Sequence, residues 1–420
     1  EILTLEDCLR IGIDNNLSLE GKRKEIQRSK YGVSENRSKL LPQINAIAGY
    51  SNNFDPPVSV TDGSSYGVPY NITQTLQHSA NAGLEMQMPL FNQTLYTSMS
   101  IAKVMEEISR LSYGKAREDV ILQISKMYYL GQVTAEQIML IKANITRLEE
   151  LRDITQAFFD NGMSMEVDLK RVNINLENLK VQYDNAQAMM KQQLNMLKYI
   201  MDYPAEKEIA LTPVNTDSIT TVALTGLSEN IYELQLSQSQ VQLAERQKKI
   251  ITNGYIPSLS LTGSWRYAAY TDKGYHWFHS GPSNQWFRSY GVGLTLRIPI
   301  FDGLDKTYKI KKAMIDIKNK RLAWEDARKN LQTQYLNAVN DLMNNQRNFK
   351  KQKDNYLLAE DVYAVTSDRY REGIASMTEV LQDEMQMSEA QNNYISAHYN
   401  YRVTNLMLLK LTGQIESLVK

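Results

Sequence analysis

"SLSLTGSWRY" (258–267) alternates apolar residues with small or polar ones over ten positions. In an extended chain, Leu259, Leu261 and Trp265 fall on one side, while Ser260 and Arg266 fall on the other. Because successive side chains of a strand point to opposite faces, this segment predicts a two-faced β-strand. Most of the remaining chain has the spacing of long helices, so the fold has to combine strands of this kind with extended helical structure.

Three further segments, 43–50, 81–88 and 291–298, show the same alternation. Their length and period are typical of strands in outer-membrane barrels, which are apolar toward lipid and polar toward a wet interior. A soluble sheet packed on one side has the same pattern. Four strands offer too little sheet to cover their own apolar faces, and the apolar stripes of the helices are expected to pack against one another. The sequence therefore predicts that lipid or a partner covers the sheet.

Four strands are also too few to close a barrel, and an open strand edge in hydrocarbon leaves backbone groups without hydrogen bonds. We therefore expect identical chains to share one barrel. Two copies would give about eight strands around an interior filled by side chains, and three would give about twelve around a water-filled bore. Glu85, Arg266 and Arg297 fall on the polar faces and favour the wet interior.

Composition limits the possible functions. The chain has 420 residues with 47 acidic and 47 basic side chains, so its formal net charge is zero. This balance gives no support to a function in nucleic-acid binding. A run of about 18 apolar residues is missing, which argues against a transmembrane helix. The single cysteine, Cys8, lies in an amphipathic segment, and we interpret it as a packing residue.

The sequence repeats itself at an offset of about 210 residues. The clearest pair is "LEMQMPLFNQTLYTS" (84–98) and "LTLRIPIFDGLDKTY" (294–308), in which Pro89 corresponds to Pro299. Two further pairs have nearly the same offset: "LLPQINAIAGY" (40–50) with "YIPSLSLTGSW" (255–265), and "DNGMSMEVDL" (160–169) with "REGIASMTEV" (371–380).

These pairs predict a first structural repeat at 1–200, a connector at 201–227 and a second repeat at 228–420. Each repeat is expected to run helix, strand, long loop, strand, long helix, glycine break and returning helix. The stretch from about 92 to 160 contains no proline and would form a helix roughly 100 Å long.

After the glycine of each repeat, residues recur with the 3-4 spacing of coiled coils, and we interpret them as helix-packing core rather than a cofactor site. The first series is Leu169, Leu176, Tyr183, Met190 and Leu197 with Val172, Leu179, Ala186, Gln193 and Ile200. The second is Val380, Met387, Tyr394, Tyr401 and Leu408 with Asp383, Ala390, Ala397, Thr404 and Leu411. The predicted fold class is mainly α, with long coiled-coil-like helical hairpins and a membrane β-barrel.

Two long segments, 51–79 and 268–289, are rich in Gly, Pro, Ser and Asn and are predicted to be extracellular loops. The second contains His276 and His279 at a spacing that metal sites use. No Cys or acidic cluster accompanies them, so we interpret these histidines as part of an aromatic girdle or of loop packing, and we predict no metal site. The basic run 305–321 either contacts acidic headgroups or is the exposed face of a helix.

In their duplicated order, these segments resemble the TolC-type outer-membrane efflux proteins, also called outer membrane factors. The resemblance extends over nearly the whole chain: "LTLEDCLRIGIDNN" (3–16) resembles the family's opening helix, and "PLFN" (89–92) and "PIFDG" (299–303) resemble its strand-to-helix turns. It implies a homotrimer with four strands per chain in one shared twelve-stranded barrel. The barrel would lie in the outer membrane of a Gram-negative bacterium, and a tunnel of α-helical hairpins would continue it through the periplasm.

The resemblance also implies a function, the exit duct of a tripartite efflux or secretion system that conducts exported solutes passively through a periplasmic gate. The implied partners are a periplasmic adaptor (membrane fusion) protein, an inner-membrane transporter of the RND, ABC or a similar class, and outer-membrane lipid. No cofactor and no nucleic acid are expected.

Site residues are carried over from the family by position. The hairpin tips resemble adaptor-docking tips and comprise Asn161, Gly162, Met163 and Ser164 in the first repeat and Gly373, Ile374, Ala375 and Ser376 in the second. Glu379, with Asp383 one turn further, corresponds to acidic rings that narrow the periplasmic entrance. Tyr370 and Asp168 correspond to residues that latch the closed gate.

The chain departs from the family pattern at Ala375, where well-known members have an arginine that completes the latch. We therefore expect another contact to replace it, involving Arg369 or Arg371. For Glu379 and Asp383, a solvated coiled-coil face is the alternative interpretation.

Two other classes of protein are alternatives. A soluble coiled-coil scaffold with a small β tip would account for the helices, and it predicts a protein that stays in buffer without detergent. An outer-membrane enzyme would need a catalytic motif, and the sequence has no GxSxG, HExxH or phosphate-binding loop. We predict that the protein is not an enzyme.

Overall fold

A computed structural model describes residues 1–56, 58–62, 64–74, 76–213, 226–271 and 286–419. Most of these residues are helical, which confirms the predicted fold class. The helices are α1 Leu5–Asn15, α2 Leu17–Ser38, α3 Gln93–Asp160, α4 Glu166–Met201, α5 Tyr232–Asn253, α6 Asp305–Arg371 and α7 Met377–Leu411, with short 3-10 helices at Ser64–Tyr66 and Ile415–Val419. The strands are β1 Ile2–Leu3, β2 Gln43–Asn52, β3 Val58–Asp62, β4 Tyr70–Gln74, β5 His78–Phe91, β6 Ala210–Leu211, β7 Ser258–Thr271 and β8 Trp286–Arg297.

The chain forms two compact units, and each takes residues from both halves of the sequence. The helical unit contains Glu1–Ile26, Ile108–Gln238 and Leu322–Lys420. The sheet unit contains Gln27–Glu107 and Ser239–Arg321. These units differ from the predicted segments 1–200, 201–227 and 228–420, and that division stays a prediction.

The sheet unit contains a four-stranded antiparallel sheet in the order β2-β5-β7-β8. Its register places Ala46 opposite Leu84, Leu84 opposite Trp265, and Trp265 opposite Tyr290, so one face is apolar across all four strands. On the other face, Arg266 forms a 2.5 Å ion pair with Glu85. The sheet is therefore two-faced, as the alternation in the sequence predicts.

In the described part of the chain, much of the apolar face is exposed, above all on the edge strands. All twelve residues of β8 are exposed, and Val292, on the apolar face, retains 79% of its accessible surface. Ile44, Leu294 and Leu296 on the same face are also exposed. In the described sheet, β2 and β8 are the edge strands. Lipid or another chain therefore has to cover these apolar side chains.

The strands extend further than the sequence predicts. β5 and β7 each have 14 residues, and β7 and β8 reach into the segment 268–289 that we expected to be a loop. The other expected loop, 51–79, contains a hairpin in which Val58 of β3 pairs with Gln74 of β4. Cross-strand hydrogen bonds continue beyond the alternating segments, which explains these differences. His276 and His279 lie outside the described residues.

Both strand-to-helix turns are confirmed. α3 begins after Asn92, whose side-chain Oδ1 accepts a 3.0 Å hydrogen bond from the Thr94 backbone N–H. α6 begins after a turn in which Gly303 and Leu304 both have positive φ, and Asp302 accepts a bond from the Lys306 N–H at 3.2 Å. Each turn thus satisfies backbone donors at its helix N-terminus.

The core of the helical unit contains the predicted packing residues. On α4, Val172, Leu176, Leu179 and Leu197 are buried, and α7 buries Val380, Met387, Tyr394 and Leu408. Cys8 is fully buried in the apolar cluster that also contains Leu197 and Leu408, and burial raises the pKa of its thiol to about 12. Its interpretation as a packing residue is confirmed.

The second predicted series needs one correction. We expected Asp383 and Ala390 as partner positions on α7, and both are only half-buried. The deeply buried positions lie one residue later, at Glu384 and Gln391. α7 packs against more than one neighbouring helix, which widens its buried face beyond a single coiled-coil seam.

No helix in the described ranges combines the length and the apolar character needed to cross a membrane. Within those ranges, no cluster of three or more His, Cys, Asp or Glu side chains could hold a metal ion.

Candidate functional site

Two helical hairpins, α3–α4 and α6–α7, carry the predicted tip and gate residues. α3 ends at Asp160 and is followed by Gly162, which has a φ of 72° and whose N–H donates to the Phe159 carbonyl at 2.9 Å, while Met163 N–H donates to the Phe158 carbonyl at 2.8 Å. α6 ends at Arg371 and is followed in the same way by Gly373, with a φ of 73° and bonds of 2.9 and 2.8 Å. This pattern is a Schellman motif, which favours glycine in the left-handed conformation. The predicted glycine breaks are confirmed.

The tips present apolar side chains to solvent. Met163 and Ile374, the residues after the two glycines, are 66% and 63% exposed. The other predicted tip residues are either exposed or half-buried, and Asn161 donates to the Ala157 carbonyl at 2.7 Å. A groove between α4 and α7 lies close by, with exposed Met385 in its wall. Exposed apolar side chains on rigid turns are suited to contact another protein.

Hydrogen bonds in the first turn of α7 hold the side chain of Glu379 in place. Its carboxylate accepts bonds from Ser376 N–H at 2.8 Å and Ser376 Oγ at 3.1 Å, while its own N–H donates to Ser376 Oγ at 3.3 Å. The hydrogen bonds from Ser376 in this capping box are the main cause that lowers the pKa of Glu379. Glu379 is exposed and therefore ionised at neutral pH. In the other hairpin, Met165 at the same position of α4 provides no side-chain cap.

Tyr370 connects α6 to α3. Its hydroxyl donates to Thr155 Oγ1 at 3.3 Å, and its ring lies 5.6 Å from that of Phe158. The side chain is only 5% exposed, and burial raises the pKa of its phenol. Tyr370 is thus a neutral hydrogen-bond donor inside the tip core.

Asp168 lies near Tyr370 but bonds elsewhere. It forms a 3.3 Å ion pair with Arg171, and the Arg171 guanidinium also donates to Thr378 Oγ1 at 3.4 Å. α4 is thereby connected to α7. Arg371, which we expected as a replacement for the missing family arginine, forms a 3.3 Å ion pair with Glu150 of α3. The structure therefore joins the two hairpins through separate polar contacts.

A buried polar ladder on α7 was not predicted. Its members, spaced by seven residues, are Glu384, Gln391, His398 and Asn405. Asn144 of α3 donates to Gln391 Oε1 at 2.7 Å. Burial raises the pKa of Glu384, and the nearby charge of Arg147 opposes this shift. The heptad spacing of these polar residues was the sequence signal that could have identified the ladder.

A two-faced sheet whose edge strands are exposed suits a subunit of an outer-membrane barrel, because such a barrel turns an apolar face to lipid and pairs every strand edge. Comparison with known proteins agrees with this class. The sequence profile described as outer membrane efflux protein matches residues 11–201 and 223–414, and the chain belongs to this family. The expected resemblance is confirmed, and the protein is an outer-membrane protein.

The chain is similar to curated relatives and to a solved structure at low sequence identity. The outer membrane protein TolC of Vibrio cholerae is 21% identical over 399 residues, which cover 91% of this chain and 84% of the relative. The probable efflux pump outer membrane protein TtgC of Pseudomonas putida is 23% identical over 433 residues, covering 97% and 82%. Both are named as outer-membrane proteins and neither as an enzyme. The crystal structure of the outer membrane protein VceC of Vibrio cholerae, at 14% identity, superposes with a TM-score of 0.77 over 97% of this chain and 96% of that one.

Proposed function

We propose that three copies of this outer-membrane efflux protein share one twelve-stranded barrel and form a passive exit duct of a tripartite efflux or secretion system. The observation that carries the proposal is the sheet, which exposes an apolar face and has β2 and β8 as its edge strands in the described chain. Each unpaired backbone group in hydrocarbon costs several kcal/mol, so a lone four-stranded sheet is unstable in a membrane. Pairing β2 of one copy with β8 of the next removes every edge.

A barrel of three copies suits the charged side chains on the polar face of the sheet. The polar face of the sheet lines a depression that includes Asn45, Glu85 and Arg266. A barrel of about twelve strands leaves room for water around such side chains, whereas about eight strands would pack them together. A water-filled bore therefore follows from the trimer.

Glu379 and Asp383 are proposed as the periplasmic gate. The capping box keeps Glu379 ionised and holds it in the first turn of α7, next to the tip of the α6–α7 hairpin. Around a threefold axis, three such carboxylates would repel one another, attract cations and obstruct the passage of solutes. A change in helix packing would have to widen the bore, and the energy for export would come from a partner.

The latch of the closed gate is proposed to use the contacts between the hairpins. Tyr370 bonds to Thr155, Asp168 orients Arg171 toward α7, and Arg371 pairs with Glu150. These contacts cross between hairpins, so they would have to break or rearrange when the hairpins separate. Arg371 would replace the arginine that the family has at the position of Ala375.

The tips are proposed to dock a periplasmic adaptor, which would connect the duct to an inner-membrane transporter of the RND, ABC or a similar class. Exposed Met163 and Ile374 supply the apolar contact on two turns of equal geometry. The name of the Pseudomonas putida relative TtgC places that protein in an efflux pump, which supports this assignment.

The mass of the detergent-extracted particle tests the shared barrel. We expect about three times the 48.2 kDa of one chain. A monomer that stays in buffer without detergent would instead favour the soluble coiled-coil scaffold and would refute the duct.

Single-channel recordings in planar bilayers test the gate. Glu379→Ala with Asp383→Ala is expected to raise conductance and to weaken the preference for cations. The matched control, Glu206→Ala with Glu208→Ala, removes the same charge from exposed positions outside the hairpins and should leave both quantities unchanged. Equal traces for the two double variants would remove Glu379 and Asp383 from the constriction.

A further inference from the structure

The second strand-to-helix turn of the sheet unit carries a cluster of lysines. The basic collar comprises Lys306, Lys309, Lys311 and Lys312 in the first two turns of α6. α6 begins at Asp305, a few residues after β8 ends, and at 1.5 Å per residue the collar lies within about 11 Å of the helix start. If the sheet lies in the membrane, as the proposed function requires, the collar lies beside the periplasmic headgroups.

The equivalent turn of the first half has no such charge. With Pro89 aligned on Pro299, the positions that correspond to the collar are Tyr96, Met99, Ile101 and Ala102. Both turns connect a sheet strand to a long helix of nearly equal length. The fold therefore does not require lysines at this place.

Local contacts hold part of the collar in position. The Lys306 Nζ lies 2.9 Å from Asp302 and 5.0 Å from the ring of Tyr255. Lys309 pairs with Asp305 at 2.7 Å. Within the described residues, Lys311 and Lys312 have no ion pair, and Lys311 Nζ lies 5.5 Å from the ring of Tyr308. The collar thus has more positive charge than its two carboxylates neutralise.

Cations occur on both flanks of the helix. α6 buries Ala313 and partly buries Ile310, which defines its inner face. At 100° per residue, Lys309 and Lys312 project to one side of this inner face. Lys311 projects to the other side and points away from the inner face. Lysine side chains can therefore reach the membrane surface from either side of the helix.

Exposed apolar residues lie directly before the collar. Ile300 is 95% exposed and Phe301 is 81% exposed, and both follow the membrane-facing strand β8. Tyr308 of the first α6 turn is exposed as well. An apolar segment followed by aromatic and basic side chains matches the order of acyl chains and headgroups at a bilayer surface.

We infer that the basic collar binds anionic phospholipid headgroups of the periplasmic leaflet, such as phosphatidylglycerol. Each lysine near an anionic surface attracts it electrostatically, whereas a zwitterionic headgroup has no net charge to neutralise. In every copy, the collar would fix the depth of the sheet unit in the membrane at one of its two strand-to-helix turns. The lipid headgroups would supply the negative charge that balances Lys311 and Lys312.

Native mass spectrometry of the delipidated protein in mixed micelles tests the inference. The micelles contain phosphatidylglycerol and phosphatidylcholine at equal mole fractions. We expect the wild-type protein to retain phosphatidylglycerol over phosphatidylcholine by about tenfold, because several lysines each contribute to binding. Lys309→Gln with Lys311→Gln and Lys312→Gln should abolish the preference. The corresponding triple substitution to Arg keeps the charge and should preserve it.

A matched control removes the same charge from the helical unit. Lys350→Gln with Lys351→Gln and Lys353→Gln, in the helical unit, should retain the full preference. Equal retention of the two lipids by the wild type, or a preference that survives the collar substitutions to Gln, would overturn the inference. Displacement of phosphatidylglycerol by millimolar inorganic phosphate would identify a phosphate site instead and would also overturn it. The same spectra report the trimer mass, so a failure of the shared barrel is seen separately.

Discussion

Tyr370 of α6 donates its hydroxyl hydrogen to Thr155 Oγ1 of α3 across 3.3 Å, inside the apolar core of the hairpin ends. Thr155 donates in turn to the Leu151 carbonyl at 2.7 Å. Both side chains are buried, so separating the helices without water entry would leave polar groups without partners. The two hairpins are therefore joined by a directional contact as well as by apolar packing.

Tyr370→Phe should loosen this junction. We expect a loss of about 1 kcal/mol in the free energy of unfolding, because one buried hydrogen bond is removed while the ring is kept. In planar bilayers the variant should open more often than the wild type. Tyr203→Phe is the control, since it removes a 2.8 Å bond to Glu1 elsewhere in the helical unit. The same open probability in both variants would argue against a latch at Tyr370.

The two tip glycines should resist substitution to a similar extent. Gly162→Ala and Gly373→Ala each force a Cβ into a left-handed backbone, at a cost of about 1 kcal/mol in stability. Apart from the adjoining residues, no atom of the described part of the chain lies within 4 Å of either added Cβ, so strain rather than a clash is responsible. Gly21→Ala, at an exposed position in the second turn of α2, should instead stabilise the protein by up to about 1 kcal/mol. Denaturant unfolding measures all three, and a stabilising alanine at either tip would contradict the turn geometry.

Local features of the sequence predicted most of the fold. The alternation around Trp265 gives the face of the strand directly, and Leu84 and Tyr290 lie on the same face because neighbouring strands share an apolar side. The glycine breaks are equally local, because a helix end with positive φ favours glycine. Most predictions that rest on period or on backbone sterics were therefore confirmed, whereas the partner positions Asp383 and Ala390 on α7 were wrong by one residue.

Contacts between distant segments were beyond the reach of the same reasoning. Nothing in the spacing of Tyr370 indicates Thr155, which lies 215 residues earlier in the chain. On α7, a polar residue such as Glu384 has the character of an exposed position, yet a second neighbouring helix buries it. A ring of Glu379 side chains depends on symmetry between copies, which the pattern of a single chain does not contain.

Glu118 of α3 should make stability depend on pH. The side chain is buried, and burial raises its pKa from 4.5 to about 7, with Lys410 acting in the opposite direction. Between these two values the folded protein binds more protons than the unfolded chain, so stability falls as pH rises and the contribution is lost above about pH 7. The full effect is at most about 3 kcal/mol. Glu118→Gln should flatten the pH profile of unfolding, and a profile identical to that of exposed Glu206→Gln would contradict this assignment.

His398 of α7 lies between Arg402 and Glu136 in the core of the helical unit. Its Nε2 accepts a 2.9 Å bond from Arg402 Nε, and its Nδ1 lies 3.4 Å from Glu136 Oε2 with no hydrogen bond between them. The ring is fully buried and lies 4.9 Å from that of Phe349. His398→Leu would remove the acceptor of the Arg402 Nε–H and replace the packed ring, and we expect a loss of about 3 kcal/mol in the free energy of unfolding.

A compensated variant separates the loss of this hydrogen bond from the loss of packing. Glu136→Gln and Arg402→Met, added to His398→Leu, remove both charges beside the ring while keeping similar side-chain volumes. Because a buried guanidinium that has lost one of its hydrogen-bond acceptors costs more than an apolar side chain in its place, the triple variant should recover most of the lost stability. Chemical unfolding of the single and triple variants measures the difference. If the triple variant is as unstable as His398→Leu alone, the ring at position 398 acts through packing against Phe349 and not through its bond to Arg402.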